Sequence, residues 1–280
     1  MTPLPTLHPN ARLDLHLHST GSDGRFDPDT VLAQAVAGKI DVLALTDHDL
    51  PAQLPAGPQT IDGHDIHLLH AVELSGWHVD TELHILVYFP AEMPPEFRSF
   101  CSELAARRAD RYQQALVNMG LDGVLESPDQ RAVSGERAIT RLHLAQAIVQ
   151  SGHAENLRDA FSRYAGTSLG KVPPVTLSVQ DAIQAGRDAG GLTVWAHPSL
   201  DQARAYLRDL VPMGIQGLEV YRPRIGGKTR RELGRFTRKY GLVATGGSDW
   251  HGWYGHRLGE FTVQAQQLQG FWGALQDLAA

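Results

Sequence analysis

Histidines and carboxylates recur along this chain at the ends of short apolar runs, in spacings that suit the holding of metal ions. The sharpest instance is Asp14-Leu15-His16-Leu17-His18. Alternate side chains of a strand share a face, so His16 and His18 point the same way and offer two imidazoles to one cation. Asp23 follows in the loop Gly21-Ser22-Asp23-Gly24, within reach of the same rim. Thr46-Asp47-His48-Asp49 closes the second run, Glu73 closes the third, and His84 lies in the fourth. His197 closes the fifth, and Ser248-Asp249-Trp250-His251 follows the seventh.

Taken singly, each has an ordinary explanation. Two alternate histidines are commonly a surface accident, His84 could be a core histidine, His197 could end a strand before Pro198, and Glu73 could pair with a helix end. Their joint recurrence is harder to dismiss, because so many ionisable groups in one place are costly to bury. Cations would neutralise the carboxylates and use the imidazole lone pairs. The candidate ligands are therefore His16, His18, Asp23, His48, Glu73, His84, His197, Asp249 and His251.

Something must bring these residues together. Apolar runs at 12–17, 42–46, 67–72, 82–89, 192–196, 217–221 and 242–245 alternate with amphipathic segments, the signature of repeated βα units and a barrel-like α/β fold. In barrels of parallel strands the functional side chains gather at the C-terminal rim. One helix opens with Asp27 as cap and Pro28 at its first position and stops at Gly38; another opens at Ser178 with Asp181 three residues on. Between 93 and 174 the alternation fails, and 97–119 and 141–149 read as helices. This predicts a helical insertion (93–174) in a barrel built from 1–92 and 175–280, its edges marked by Pro90, Pro94, Pro173 and Pro174.

Composition narrows the partners. The 280 residues are 42% hydrophobic and 20% charged, with a formal net charge of −6 and no Lys/Arg block of the kind that grips duplex DNA, so duplex nucleic acid is an unexpected partner. Cys101 is the single cysteine, which excludes an internal disulfide and a Cys-rich zinc module; its apolar neighbours Phe97, Phe100 and Leu104 make it a packing residue. No signal-like N-terminus and no run near the roughly 20 apolar residues of a membrane span are found, so a cytoplasmic protein without membrane contact is expected.

The blocks Asp14-Leu15-His16-Leu17-His18-Ser19, Leu45-Thr46-Asp47-His48-Asp49, Ala196-His197-Pro198 and Gly247-Ser248-Asp249-Trp250-His251 resemble, in order, those of the polymerase and histidinol phosphatase (PHP) family of metal-dependent phosphoesterases. The resemblance implies a distorted seven-stranded (β/α)7 TIM-like barrel with three metal positions. His16, His18, Glu73 and Asp249 would surround one metal, Glu73 would bridge to a second held by His84 and His197, and Asp23, His48 and His251 would hold the third. Asp23 stands where some relatives have histidine. Nitrogen and oxygen donors suit two or three divalent cations of manganese, iron or zinc.

Within that family the chain is similar to the branch with a helical insertion that acts on nucleotide phosphates and short RNA, through Ala138-Ile139-Thr140-Arg141-Leu142-His143, the 161–164 segment and Gly170-Lys171-Val172-Pro173-Pro174. The expected reaction is attack on phosphorus by a metal-bound hydroxide held by Glu73 and Asp249. Arg141, His143 and Lys171 are the candidate contacts to a small phosphorylated substrate, a nucleotide or a short RNA, with a solvated helix surface as the plainer alternative. Rival readings are a histidinol-phosphate phosphatase, distinguished by the basic insertion; a metal-dependent amidohydrolase, disfavoured because no lysine sits at a strand end; and a metal-binding module without turnover.

Overall fold

The computed structural model describes residues 4–61, 63–253 and 255–279, so residues 1–3 of the N-terminal stretch read for a signal lie outside the described residues. The strands are β1 (Arg12–Leu17), β2 (Val42–Leu45), β3 (Gly57–Ile61), β4 (His64–His78), β5 (Thr81–Phe89), β6 (Leu192–Trp195), β7 (Gly217–Tyr221), β8 (Val243–Gly246) and β9 (Val263–Gln264). Apart from β3 and β9, the strands stand side by side in chain order in a single sheet. β3 forms a hairpin with β4, and β9 pairs antiparallel with the start of β1.

The sheet curls into a barrel whose last seam is made by the segment after β8. There Asp249 N–H donates to His16 O (2.7 Å) and His18 N–H donates to Trp250 O (2.9 Å). Gly247 is required at this approach, because a Cβ at that position would lie 2.4 Å from the His16 backbone nitrogen.

Repeated βα units make neighbouring strands parallel, and one of the seven strands read from the sequence departs from this. β5 runs antiparallel to both β4 and β6. The cause is chain length: the link between β4 and β5 is only residues 79–80, with Val79 in a left-handed conformation (φ 54°), whereas a parallel crossover needs a dozen residues or more. Reversal also explains how His84, near the start of its strand, reaches the same rim as Glu73, since Ser75 pairs with His84 and Glu73 with Leu86.

Helices α1 (Pro28–Ala37), α2 (Pro95–Met119), α3 (Gln130–Val133), α4 (Arg141–Gln150), α5 (Leu157–Ala160), α6 (Val179–Asp188), α7 (Leu200–Met213), α8 (Gly227–Tyr240) and α9 (Gln269–Ala279) complete the chain. The Asp27 and Ser178 caps form as their chemistry requires, accepting from Thr30 N–H and Asp181 N–H. Among the described residues no helix is long and apolar enough to cross a membrane.

Three apolar clusters hold the barrel. Leu13, Leu15, Leu69, Leu86, Tyr88 and Val194 pack with Phe271 and Leu275 of α9. Val72, Ile85, Val87, Trp195 and Leu218 pack with α2, α6 and α7, and Cys101 is buried here as the packing residue expected. Leu17, Leu43, Leu45 and Leu68 pack with Val31 and Leu32 of α1.

Leu15 and Leu17 fall in different clusters although they are two apart. The β1–β2 register slips between Asp14 and Leu17, so one extra residue of β1 re-aims the chain. Leu13 and Leu15 thus join the cluster shared with α9, while Leu17 turns towards α1. A second core, formed by Leu116, Leu121, Leu144, Ile148 and Val172, belongs to the helical stretch between β5 and α6.

Because the closing seam has no room for a methyl group, Gly247→Ala is expected to cost about 2 kcal/mol of stability through overpacking against β1. Thermal melting against the wild type measures this, and an unchanged midpoint would show that the seam yields freely.

Candidate metal centre

The barrel mouth is organised around Glu73. β2 ends at Leu45, and the chain continues beside β4: Glu73 N–H donates to Asp47 O (3.2 Å) and Asp49 N–H to Glu73 O (2.9 Å). This short ladder sets His48 beside Glu73. Five imidazole nitrogens then face one carboxylate. Oε1 is met by His16 Nε2 (3.3 Å), His84 Nδ1 (3.1 Å) and His197 Nε2 (3.0 Å), and Oε2 by His18 Nε2 (3.4 Å) and His48 Nδ1 (3.1 Å).

Asp249 Oδ1 stands 3.5 Å from His16 Nε2 and 3.4 Å from His18 Nε2. Asp23 lies 3.3 Å from His251 Nε2 and 3.7 Å from both His18 Nδ1 and His48 Nε2. The structure therefore brings all nine candidate ligands into one continuous cluster.

Their donor atoms form overlapping groups: His18 with Asp23, His48 and His251; His16 with His18 and Asp249; His16 with Glu73 and His197; His48 with Glu73 and His84. His16, His18 and Glu73 are fully buried, whereas the Asp249 side chain is 39% exposed, so the cluster opens to solvent on the Asp249 side.

Whether these residues fit cations can be tested on their hydrogen bonds. His16 Nε2, His18 Nε2, His48 Nδ1 and Glu73 Oε2 are buried without a hydrogen-bond partner among the described residues. Orphaned polar atoms aimed at one another are expensive unless a cation receives them.

The outer nitrogens, by contrast, have acceptors. His16 Nδ1 faces Glu219 Oε1 (3.1 Å), His84 Nε2 faces Glu82 Oε1 (3.4 Å), and His251 Nδ1 faces Asp249 O (2.9 Å). Each outer N–H is thus donated to oxygen, which turns the lone pair of the other nitrogen inward, as metal-binding imidazoles require.

Supporting groups extend outward. Glu219 also accepts the His197 backbone N–H (2.7 Å). Arg111 of α2 grips Glu82 (2.7 Å). Arg108, buried on the same helix, donates to Asp49 Oδ2 (2.6 Å) and Ser75 Oγ (2.6 Å). Asp47 receives the backbone N–H and hydroxyl of both Ser19 and Ser22, which fixes the loop carrying Asp23.

Asp49, His197 and Asp249 all have left-handed backbones (φ 51°, 31° and 53°), unusual for residues with a Cβ and consistent with a site held in place by its surroundings.

Sequence reasoning did not assign Glu219, Glu82, Arg108 or Arg111. Glu219 had a readable signal, a lone acid inside the apolar run Gly217–Tyr221.

The proposed substrate residues lie in the helical stretch. Ala138 N–H donates to Gly21 O (2.9 Å), which ties this stretch to the Asp23 loop. Arg141 lies beside Arg108, Arg111 and Tyr112, and its guanidinium makes no hydrogen bond or ion pair among the described residues. His143 Nδ1 accepts Thr140 N–H (3.0 Å), closing the capping box of α4. Lys171 donates to Arg163 O (3.0 Å) and sits over the Tyr164 ring.

Without cations the charges settle on one another. Burial alone would raise Glu73, yet the imidazoles of His16, His48 and His84 hold it well below the usual carboxylate range. Against the pull of burial, Glu73 and Glu82 lift His84 to about 10, and Asp23 and Asp249 lift His251 to about 9.

A barrel whose mouth presents oriented imidazoles and carboxylates to shared cations defines a metal-dependent hydrolase. No family model matches the chain. The chain is 32% identical over 253 residues to the 5′-3′ exoribonuclease Rnm of Salmonella typhimurium, covering 85% of this chain and 84% of that protein. It is 31% identical over 255 residues to the 3′,5′-nucleoside bisphosphate phosphatase of Chromobacterium violaceum, covering 86% and 87%. Among solved structures, the Bifidobacterium adolescentis protein assigned as a metal-dependent phosphoesterase matches with a TM-score of 0.73 at 25% identity, over 95% of this chain and 98% of that one. The chain belongs to the polymerase and histidinol phosphatase family of metal-dependent phosphoesterases.

Two outcomes are expected. Glu219→Gln should weaken metal affinity by about 10- to 100-fold, since the acceptor that orients His16 loses its charge; metal titration of the folded variant measures this, and wild-type affinity would remove Glu219 from the site. In metal-free protein, the raised His84 and His251 contribute stability that is fully present below their unfolded pKa of about 6.5 and lost as pH rises through about 9 and about 10. Melting with chelator should show that decline and melting with metal should not; equal chelated stability at both ends of the range would refute the charge pairing.

Proposed function

We propose that this protein hydrolyses phosphate esters of small nucleotides, such as the 3′-phosphate of a nucleoside 3′,5′-bisphosphate, and trims short oligonucleotides from the 5′ end. The carrying observation is the Glu73 cluster, in which His16 Nε2, His18 Nε2 and His48 Nδ1 are buried without a hydrogen-bond partner among the described residues. The nucleotide class is supported by the two curated relatives and by Trp253, whose indole N–H donates to Asp23 O (2.7 Å) while its side chain remains exposed, a surface that suits a base.

His16, His18, Asp23, His48, Glu73, His84, His197, Asp249 and His251 would hold two or three divalent cations. Nitrogen and oxygen donors without a thiolate favour manganese, iron or zinc. When bound, such cations supply Lewis-acid polarisation of the phosphate and a water of lowered pKa.

The protein's own residues do the rest. Glu73, central and buried, spans both halves of the cluster, and Asp249 stands at its open side, where a phosphate enters. Arg141, His143 and Lys171 are the proposed contacts from the helical stretch. Arg141 is the best supported of these, because its guanidinium has no hydrogen bond or ion pair among the described residues while the other two have partners.

Glu73→Gln should lower hydrolysis by on the order of 1,000-fold and reduce bound metal together. The assay is phosphate release from a nucleoside bisphosphate, a short RNA and histidinol phosphate, with metal content measured on the same preparation. Full activity in the variant, or wild-type activity confined to histidinol phosphate, would end this reading.

A further inference from the structure

A cavity of about 520 Å³ opens beside the cluster, lined by His197, Asp249 and His251 and also by Arg222, Arg224 and Arg257. Its size falls in the range of roughly 300–1,000 Å³ that small ligands use. Arg222, just past the end of β7, donates to Pro198 O (2.8 Å), yet its Nε is buried without a partner among the described residues. Three guanidinium groups thus border the open side of a centre built for phosphate.

The positive charge does not stop at the cavity. Residues 222–239 hold eight of the chain's 25 lysines and arginines against one acid, Glu232, in a protein of formal charge −6. Lys228, Arg231, Arg235 and Arg238 recur every three or four residues along α8 and are all exposed, while Leu233 and Thr237 form its buried side. Among the described residues, Arg235 alone of the four has an ion pair, with Glu232.

A charged helix face is ordinarily a solvated one. Here the stripe begins four residues after the cavity-lining Arg224, on a helix of 14 residues, about 20 Å long.

We propose that Arg222, Arg224 and Arg257 seat the phosphate adjoining the one that is hydrolysed, and that the α8 stripe carries the backbone beyond it, so that this surface receives single-stranded oligonucleotide. The inference rests on the phosphoesterase reading and chooses the polymer over the mononucleotide as the substrate the surface is built for. A row of separated cations suits a flexible phosphodiester chain, whose binding is governed by counterion release and weakens with salt.

The test is fluorescence anisotropy on the metal-loaded full chain with phosphorothioate single-stranded RNAs of 2 and ~12 nucleotides, at about 50 mM and about 200 mM salt. Wild-type protein should bind the longer RNA at least tenfold more tightly at low salt, and the advantage should shrink at high salt. The triple variant Arg231→Gln/Arg235→Gln/Arg238→Gln should lose most of the length advantage, and Arg257→Ala should weaken both RNAs.

Absence of a length advantage in the wild type, or its persistence in a normally melting triple variant, would overturn the path. Should the triple variant melt early, Arg231→Gln/Arg238→Gln supplies the same comparison. Mononucleotide hydrolysis with manganese separates the two ideas: hydrolysis without length-dependent binding overturns the path alone, and salt-dependent binding of the longer RNA without hydrolysis overturns the hydrolytic reading alone.

Discussion

Glu73 imposes the constraint that the rest of the barrel mouth answers. A carboxylate removed from water and faced by five imidazole nitrogens at 3.0–3.4 Å cannot be stabilised by ordinary packing. Two solutions exist: protons on the imidazoles, which convert the cluster into ion pairs, or cations that all the donors share. The outer nitrogens of His16, His84 and His251 already face oxygen acceptors, so the inward lone pairs are pre-oriented for the second solution. Glu219 and Glu82 are therefore positioning residues for the centre, with Arg111 holding Glu82 in turn.

Backbone features serve the same end. The shift of register in β1 places Leu15 in the cluster packed by α9 and leaves His16 at the mouth. The reversed β5 delivers His84 near its beginning. Gly247 lets the loop that carries Asp249 close onto β1, and left-handed backbone at His197 and Asp249 turns both side chains at the points where their strands have ended. A strand ladder alone would not aim these groups at a common centre.

Much of this was legible in the sequence, for identifiable reasons. Alternation in a strand has a period of two, so His16 and His18 declared their common face, and the positions of His48 and Asp249 just beyond β2 and β8 followed from the same βα rhythm, whereas Glu73, read as a strand end, lies inside β4, which runs on to His78. The direction of β5 was readable but unread: 72 and 82 are too close to accommodate a crossover helix. β3 and β9 were missed because Gly57–Ile61 contains a proline and shows little alternation, and Val263–Gln264 is only two residues long. Arg108 and Arg111 were hidden because a cation on a long amphipathic helix reads as solvated until coordinates show Asp49 and Glu82 beside it. His143 and Lys171, read from residue type as phosphate contacts, also have local roles that residue type did not announce, one capping α4 and the other sitting over the Tyr164 ring.

α2 has a consequence for how such enzymes can diversify. The helix belongs to the stretch that differs in character from the barrel, yet its Arg108 and Arg111 side chains reach the residues flanking His48 and His84. The segment that would discriminate among substrates is thus wired by charge to the machinery that would break the bond. Exchanging this segment between relatives to alter selectivity would disturb the ligand sphere unless both arginines travelled with their acidic mates, so recognition and reactivity here are inherited as one unit.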